Sequence, residues 1–130
     1  MRHAIVVVGV ALMQIACATA AAPPLRGTTW TLAAPGDARQ PFIVLDATQM
    51  RLSGQAQCNR LMGAFTLEGD KLAFGQVAST RRACFPDDGS EQRFLQALSE
   101  VKRWRIEGGE LLLFGEAATP LLRLQPGKAP

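Results

Sequence analysis

Few side chains in this sequence are suited to chemistry, and they are concentrated in residues 53–65, where the triplet Cys58-Asn59-Arg60 lies between Gly54 and Gly63. A second cysteine closes the segment Thr80-Arg81-Arg82-Ala83-Cys84. A thiol can serve as nucleophile or metal ligand, and an amide beside a guanidinium can hold a polar ligand on a loop. Plainer roles compete with these. Asn59 could hydrogen-bond its own loop backbone, and Arg60 could pair with a carboxylate.

The remaining inventory narrows the chemistry. The single histidine is His3, in an N-terminal segment that reads as removable, and tyrosine is absent. Histidine-assisted serine or cysteine catalysis therefore lacks its base, and zinc hydrolysis lacks its usual ligands. Cys58 and Cys84 alone do not make a four-ligand zinc site, and there is no Cys-x-x-Cys pair. No acidic pair stands out as a glycosidase dyad, and Asp70 and Asp87 read as solvated turn residues. No glycine-rich loop joins a strand to a helix, so a phosphate cradle is missing too. Neither a catalytic residue, a cofactor site nor a metal site is expected.

The ends of the chain set its location. Met1-Arg2-His3 is a short basic start, residues 4–13 are almost entirely apolar, and small residues follow from Ala16. This is the pattern of a secretory signal, too short to span a bilayer. The expectation is a signal over residues 1–20 and one exported domain over 21–130, in the periplasm or at the outer membrane. Ile15-Ala16-Cys17 matches the end of a lipobox, although Gln14 stands where leucine is usual; a cut after Ala18-Thr19-Ala20 is the alternative. In the first case Cys17 carries lipid and residues 21–24 form a tether. Export to an oxidising compartment then leaves Cys58 and Cys84 with one possible pairing, a disulfide. The competing reading is two buried thiols acting as small core residues.

A formal charge of +3 is too small, and the basic residues too scattered, to suggest nucleic acid. The clusters Arg81-Arg82 and Lys102-Arg103-Arg105 read as solvated faces.

These residues must be positioned by short strands. Residues 28–32 are β-branched and aromatic, with a turn at Pro35-Gly36-Asp37. Residues 42–45 read as a fully buried strand paired across Asp46-Ala47-Thr48 with one bearing Met50 and Leu52. Gly54 and Gly63 mark where one strand leaves the sheet and the next begins. Phe65 and Leu67, the turn Gly69-Asp70, then Leu72 and Phe74 give the clearest hairpin. Asp88 and Glu91 have capping-box spacing ahead of a helix of about ten residues, with Phe94, Leu95, Leu98 and Val101 on its apolar stripe. Trp104 and Ile106, the turn Gly108-Gly109, residues 111–114 and residues 121–124 supply the last strands. Trp30 and Trp104 read as core. Seven or eight antiparallel strands with one late helix imply a sheet curled toward a barrel, the helix lying against an opening.

The segments around Cys58 and Cys84, followed by Glu91, Phe94, Leu95 and Leu98, resemble the META domain family, which includes heat-shock lipoproteins of the HslJ type. The opening residues 25–32 and the late Leu111-Leu112-Leu113 fit as well, so the resemblance covers the whole mature chain. Its motif positions here are Gly54, Cys58, Asn59, Arg60, Gly63, Thr80, Arg81, Cys84 and Glu91. Gln57 departs from the glycine often found before the cysteine, and Arg82 replaces a commonly apolar residue. The resemblance implies an α+β domain with a strongly bent antiparallel sheet approaching an open, cracked barrel. It also implies an envelope location and a part in stress or drug tolerance, without catalysis.

The function expected is therefore non-enzymatic support of the cell envelope by a monomer that binds another molecule. That molecule is an envelope protein or a hydrophobic ligand. A lipid carrier would hold its chain between the sheet and the helix, and a hydrolase inhibitor would act through an exposed loop such as Arg81-Arg82. Because the mature chain lacks histidine, a serine-directed reagent and a chelator should each leave its function unchanged. Loss of function with either, on mature protein of verified sequence, overturns the expectation.

Overall fold

In a computed structural model, Gly9 and residues 21–33, 40–84 and 88–127 are described. Apart from Gly9, the segment read as a signal, with Cys17, lies outside the described residues, as do the turn Pro35-Gly36-Asp37 and Asp87. Among the described residues no helix is long and apolar enough to cross a membrane.

The strands are β1 (Thr29–Leu32), β2 (Phe42–Leu45), β3 (Arg51–Gln55), β4 (Arg60–Glu68), β5 (Lys71–Phe74), β6 (Ala78–Ser79), β7 (Arg103–Glu107), β8 (Glu110–Phe114) and β9 (Leu122–Pro126). The helix α1 (Ser90–Ser99) lies between β6 and β7, after the second cysteine. All the pairings are antiparallel, in the order β3-β2-β1-β9-β8-β7-β5-β4-β6, and β3 also pairs with β4. The last pairing turns the sheet into a ring, though not an evenly round one. β3 and β4 match from Arg51↔Ala64 to Gln55↔Arg60, whereas β5 and β7 meet only at Lys71↔Arg103. Two further bonds hold that seam, Leu72 N–H to Lys102 O at 3.1 Å and Trp104 N–H to Asp70 O at 3.0 Å.

Strand periodicity explains what fills the ring. Side chains alternate across a strand, so Ile43 and Leu45, Leu61 and Phe65, and Leu111 and Leu113 point inward and are almost fully buried. Trp30 joins them and satisfies its indole N–H by donating to Leu25 O at 2.9 Å. Phe94 and Leu98 of α1, with Val101 just past the helix end, complete the same core. Burying a large apolar side chain of this kind contributes about 1.5–3 kcal/mol, so the ring and its helix are one cooperative unit.

Several expectations are corrected. Residues 42–45 are not fully buried: Phe42 and Val44 are only partly covered while Ile43 and Leu45 face the core. The strand buried on both faces is β8. Its outer face carries Phe114 under the guanidinium groups of Arg103 and Arg105, 5.3 and 5.2 Å from the ring centroid. That basic cluster is thus a lid of long side chains over an aromatic ring as well as a solvated face. Trp104 is only partly buried and donates to Gly69 O at 2.9 Å. The turn after β2 forms as expected, with Asp46 Oδ1 accepting from the Thr48 and Gln49 amides at 2.9 and 2.8 Å. These bonds, led by that from Gln49, hold the Asp46 carboxyl below its usual range.

Gly54 and Gly63 do not stand at strand boundaries. Both lie inside strands, and neither has a left-handed backbone. Gly54 is needed because β2 comes so close that a Cβ would sit 2.2 Å from Phe42 O. At Gly63 the nearest atom would be Gln76 O at 3.3 Å, a contact a small shift can relieve. Gly54→Ala is therefore expected to cost about 3 kcal/mol, at the upper end of overpacking penalties, and Gly63→Ala much less. Urea denaturation of both variants measures this; equal stabilities would refute the close approach.

Candidate functional site

The β3–β4 connection places Cys58 and Asn59 at the mouth of the ring, opposite the chain that leaves β6. Residues 80–84 run alongside, and a disulfide joins Cys58 to Cys84 with Cα atoms 5.8 Å apart. The second motif segment is thus fastened to the first, 26 residues earlier.

Asn59 does most of the fastening. It is buried, and its Nδ2 donates to Arg82 O at 3.1 Å and to Glu91 Oε2 at 3.0 Å. Its Oδ1 accepts from the Arg82 amide at 2.7 Å and the Thr80 hydroxyl at 2.9 Å. Both hydrogens and both lone pairs of the amide are used. The Thr80 hydroxyl accepts in turn from the Arg60 amide at 3.0 Å, and the Thr80 amide donates to Arg60 O at 3.1 Å. The loop-capping role expected for Asn59 is therefore corrected: its side chain bonds the Arg82 backbone and the Thr80 and Glu91 side chains, all more than twenty residues away, and not its own loop. Arg60 is exposed, and no ion pair of its side chain is found among the described residues.

Glu91 is the residue whose role the sequence reading missed. No capping box forms. The helix starts one residue later than that pattern requires, its N-cap is Gly89 in a left-handed conformation, and no side chain caps it. Asp88 instead accepts from the Ser90 amide at 3.0 Å, and hydrogen bonds from Ser90 hold its carboxyl below the usual range. Glu91 turns inward, where Oε2 meets Asn59 and lies 3.3 Å from Cys84 Sγ. A disulfide sulfur has no proton, so the latter is a contact and not a hydrogen bond. The other oxygen, Oε1, is buried with no hydrogen-bond partner among the described residues. The signal was available, since Glu91, Phe94 and Leu98 have the i, i+3, i+7 spacing of one helical face.

The motif positions thus separate into three groups. Cys58, Asn59, Thr80, Cys84 and Glu91 converge on one cluster, Gly54 and Gly63 allow strand packing, and Arg60 and Arg81 face solvent. Of the two departures from the family pattern, Gln57 accepts from the Ser90 hydroxyl at 3.3 Å. Arg82 keeps its side chain outside while its backbone serves Asn59. Next to the cluster is a cleft of about 370 Å³ between residues 79–84 and the first turns of α1, lined by Arg81, Arg82, Glu91, Gln92 and Leu95 among others.

A ring-like antiparallel sheet with one helix, its mouth fastened by a disulfide and a buried asparagine, defines a small domain class. The family model for the META domain matches residues 23–128, and the chain belongs to that family. A solved structure of a protein from Burkholderia xenovorans is similar over 86% of this chain and 96% of its own, at 24% identity and a TM-score of 0.65. Another solved protein structure is similar over 78% of this chain and 91% of its own, at 22% identity and a TM-score of 0.60. At these identities the two share the fold. No curated protein matches the chain.

Mature protein lacking Cys17, unfolded without reductant, is expected to titrate no free thiol. Cys58→Ser and Cys84→Ser should each destabilise by about 3 to 4 kcal/mol, and the double variant little more than either. Asn59→Ala, which removes the side-chain partner of the buried Glu91 Oε2 and of the part-buried Arg82 amide and carbonyl, should destabilise by about 2 to 3 kcal/mol with the disulfide intact. Thiol counting and denaturant melts test these values; two free thiols, or a neutral Asn59→Ala, would contradict the fastening described here.

Proposed function

We propose that this protein is a non-enzymatic META domain of the cell envelope, of the HslJ type, that supports stress or drug tolerance by binding another envelope molecule. In this reading it is exported and either tethered through lipid on Cys17 or released after Ala20. Residues 80–84 form the contact. The observation that carries the reading is the set of bonds that hold them. Asn59 and the disulfide fix the backbone of this segment, while the side chains of Arg81 and Arg82 are left exposed beside the cleft. A segment already held in one conformation loses little entropy on binding, so exposed guanidinium groups there can recognise carboxylates or phosphates on a partner.

The same observation favours a second reading, inhibition of an envelope hydrolase by insertion of residues 80–84 into its substrate groove. A lipid carrier has weaker support, because Trp30, Ile43, Leu45, Leu61, Phe65 and Leu113 pack together within the ring.

In a strain lacking the protein, wild type should restore tolerance, and Arg81→Glu/Arg82→Glu should not, although it folds. A photo-crosslinker at position 81 should capture one partner that a crosslinker at Arg123, on β9, does not. Affinity for that partner should fall by about tenfold or more on charge reversal. Full tolerance in the charge-reversed strain would rule out residues 80–84 as the contact.

A further inference from the structure

The cluster under residues 80–84 holds more than a disulfide needs. A bridge between Cys58 and Cys84 requires no acid, yet Glu91 is 91% buried against it, since its relative exposure is 9%. One carboxylate oxygen touches Cys84 Sγ at 3.3 Å, and the other has no hydrogen-bond partner among the described residues. Burying a carboxylate with an unpaired oxygen is unfavourable unless a donor or a cation completes it.

The ligand atoms of Cys58, Cys84 and Glu91 all lie within 4.8 Å of one another. A fourth donor is close by, for Arg82 O is 3.9 Å from Cys58 Sγ and 3.8 Å from Cys84 Sγ. Tetrahedral zinc with metal–sulfur bonds of about 2.3 Å and metal–oxygen bonds of about 2.0 Å sets its sulfur ligands about 3.8 Å apart and sulfur from oxygen about 3.5 Å. The contact of Cys84 Sγ with Glu91 and the two contacts of Arg82 O are within about 0.4 Å of these values; reduction must separate the two sulfurs, and Cys58 Sγ, within 4.8 Å of the Glu91 oxygen, must settle closer to it. Asn59 donates to both oxygen ligands, Glu91 Oε2 and Arg82 O, and so orients them from outside. The sequence reading counted two cysteines as too few; the fold adds the two oxygens.

We propose that reduction of the Cys58–Cys84 disulfide converts this cluster into a binding site for one thiophilic divalent cation, zinc being the best fit. The reductant is a dithiol. It transfers two electrons and two protons, leaving as its own disulfide, and Cys58 and Cys84 become thiols. The cation then displaces one proton from each thiol and is held by two thiolates, the Glu91 carboxylate and the Arg82 carbonyl. The bridge and the metal exclude one another, so residues 80–84 are fastened in both redox states by different bonds. Both cysteines are only partly buried, which leaves the bridge open to exchange. The partner contact proposed above is measured on the oxidised protein, so either idea can fail alone.

The test uses mature protein lacking Cys17, reduced anaerobically and freed of reductant, with zinc partitioned against a chromophoric chelator. The reduced protein should hold one equivalent, and the oxidised protein and the reduced Cys58→Ser/Cys84→Ser variant none. Cobalt in place of zinc should give thiolate charge-transfer bands and the visible bands of a tetrahedral site. Glu91→Gln should weaken zinc at least about tenfold, and Glu91→Asp should keep the cobalt spectrum. Zinc should also raise the melting temperature of the reduced wild type but not of the oxidised form, a readout that does not depend on any variant folding. Zinc binding no tighter in the reduced protein than in the double serine variant, an octahedral cobalt spectrum, full affinity in Glu91→Gln, or an unchanged melting temperature would each overturn the proposal.

Discussion

One buried amide bonds three parts of the chain at once. Asn59 stands in the turn after β3, its carbonyl and amine take the backbone of Arg82, its carbonyl also takes the Thr80 hydroxyl, and its amine also takes the helix through Glu91. Only a side chain with two hydrogens and two lone pairs in one plane can do this. An aspartate would offer no donor and would face the Glu91 carboxylate, and a leucine would take the side-chain partner from Glu91 and from the Arg82 amide and carbonyl. The disulfide acts on the same join by a different route, limiting how far the two segments separate when unfolded. The asparagine sets the conformation and the bridge sets the proximity, which is why both occur within a few ångströms.

The ring imposes the second constraint. A curled sheet must either close or cover its edges, since an open edge presents unpaired backbone groups. Here closure is achieved by pairing β1 with β9 and β3 with β4, and the remaining weakness is the short β5–β7 contact. α1 packs against β5 and sends Phe94 and Leu98 into the core, so the helix covers what the strands leave unpaired. The cluster around Glu91 sits at the first turn of that helix. The domain's weakest strand contact and its most polar buried groups are thus served by a single ten-residue element.

Much of this was legible in the residues. Alternation located the 65–74 hairpin, the paired strands around Asp46 and the Gly108-Gly109 turn, because a half-buried strand writes its burial into every second position. The cysteine pairing followed from the inventory once export was assumed. Other features could not be read along the chain. The need for Gly54 arises from β2, a neighbour that local sequence does not name. The partners of Asn59 lie more than twenty residues away, beyond any local rule. Glu91 was misread because two regularities overlapped: the capping-box spacing from Asp88 and the helical spacing to Phe94 and Leu98. The left-handed Gly89 chose between them by starting the helix a residue later.

The pairing of β1 with β9 also fixes an order of events. β1 is among the first strands of the domain to be made, yet one of its two neighbours is the last. Until residues 122–126 are available, β1 and β8 each carry a bare edge, and the interior that Trp30 and Leu124 share stays open to water. Contacts between distant parts of a chain form late and slowly. The ring therefore closes only when the final strand of the growing chain arrives.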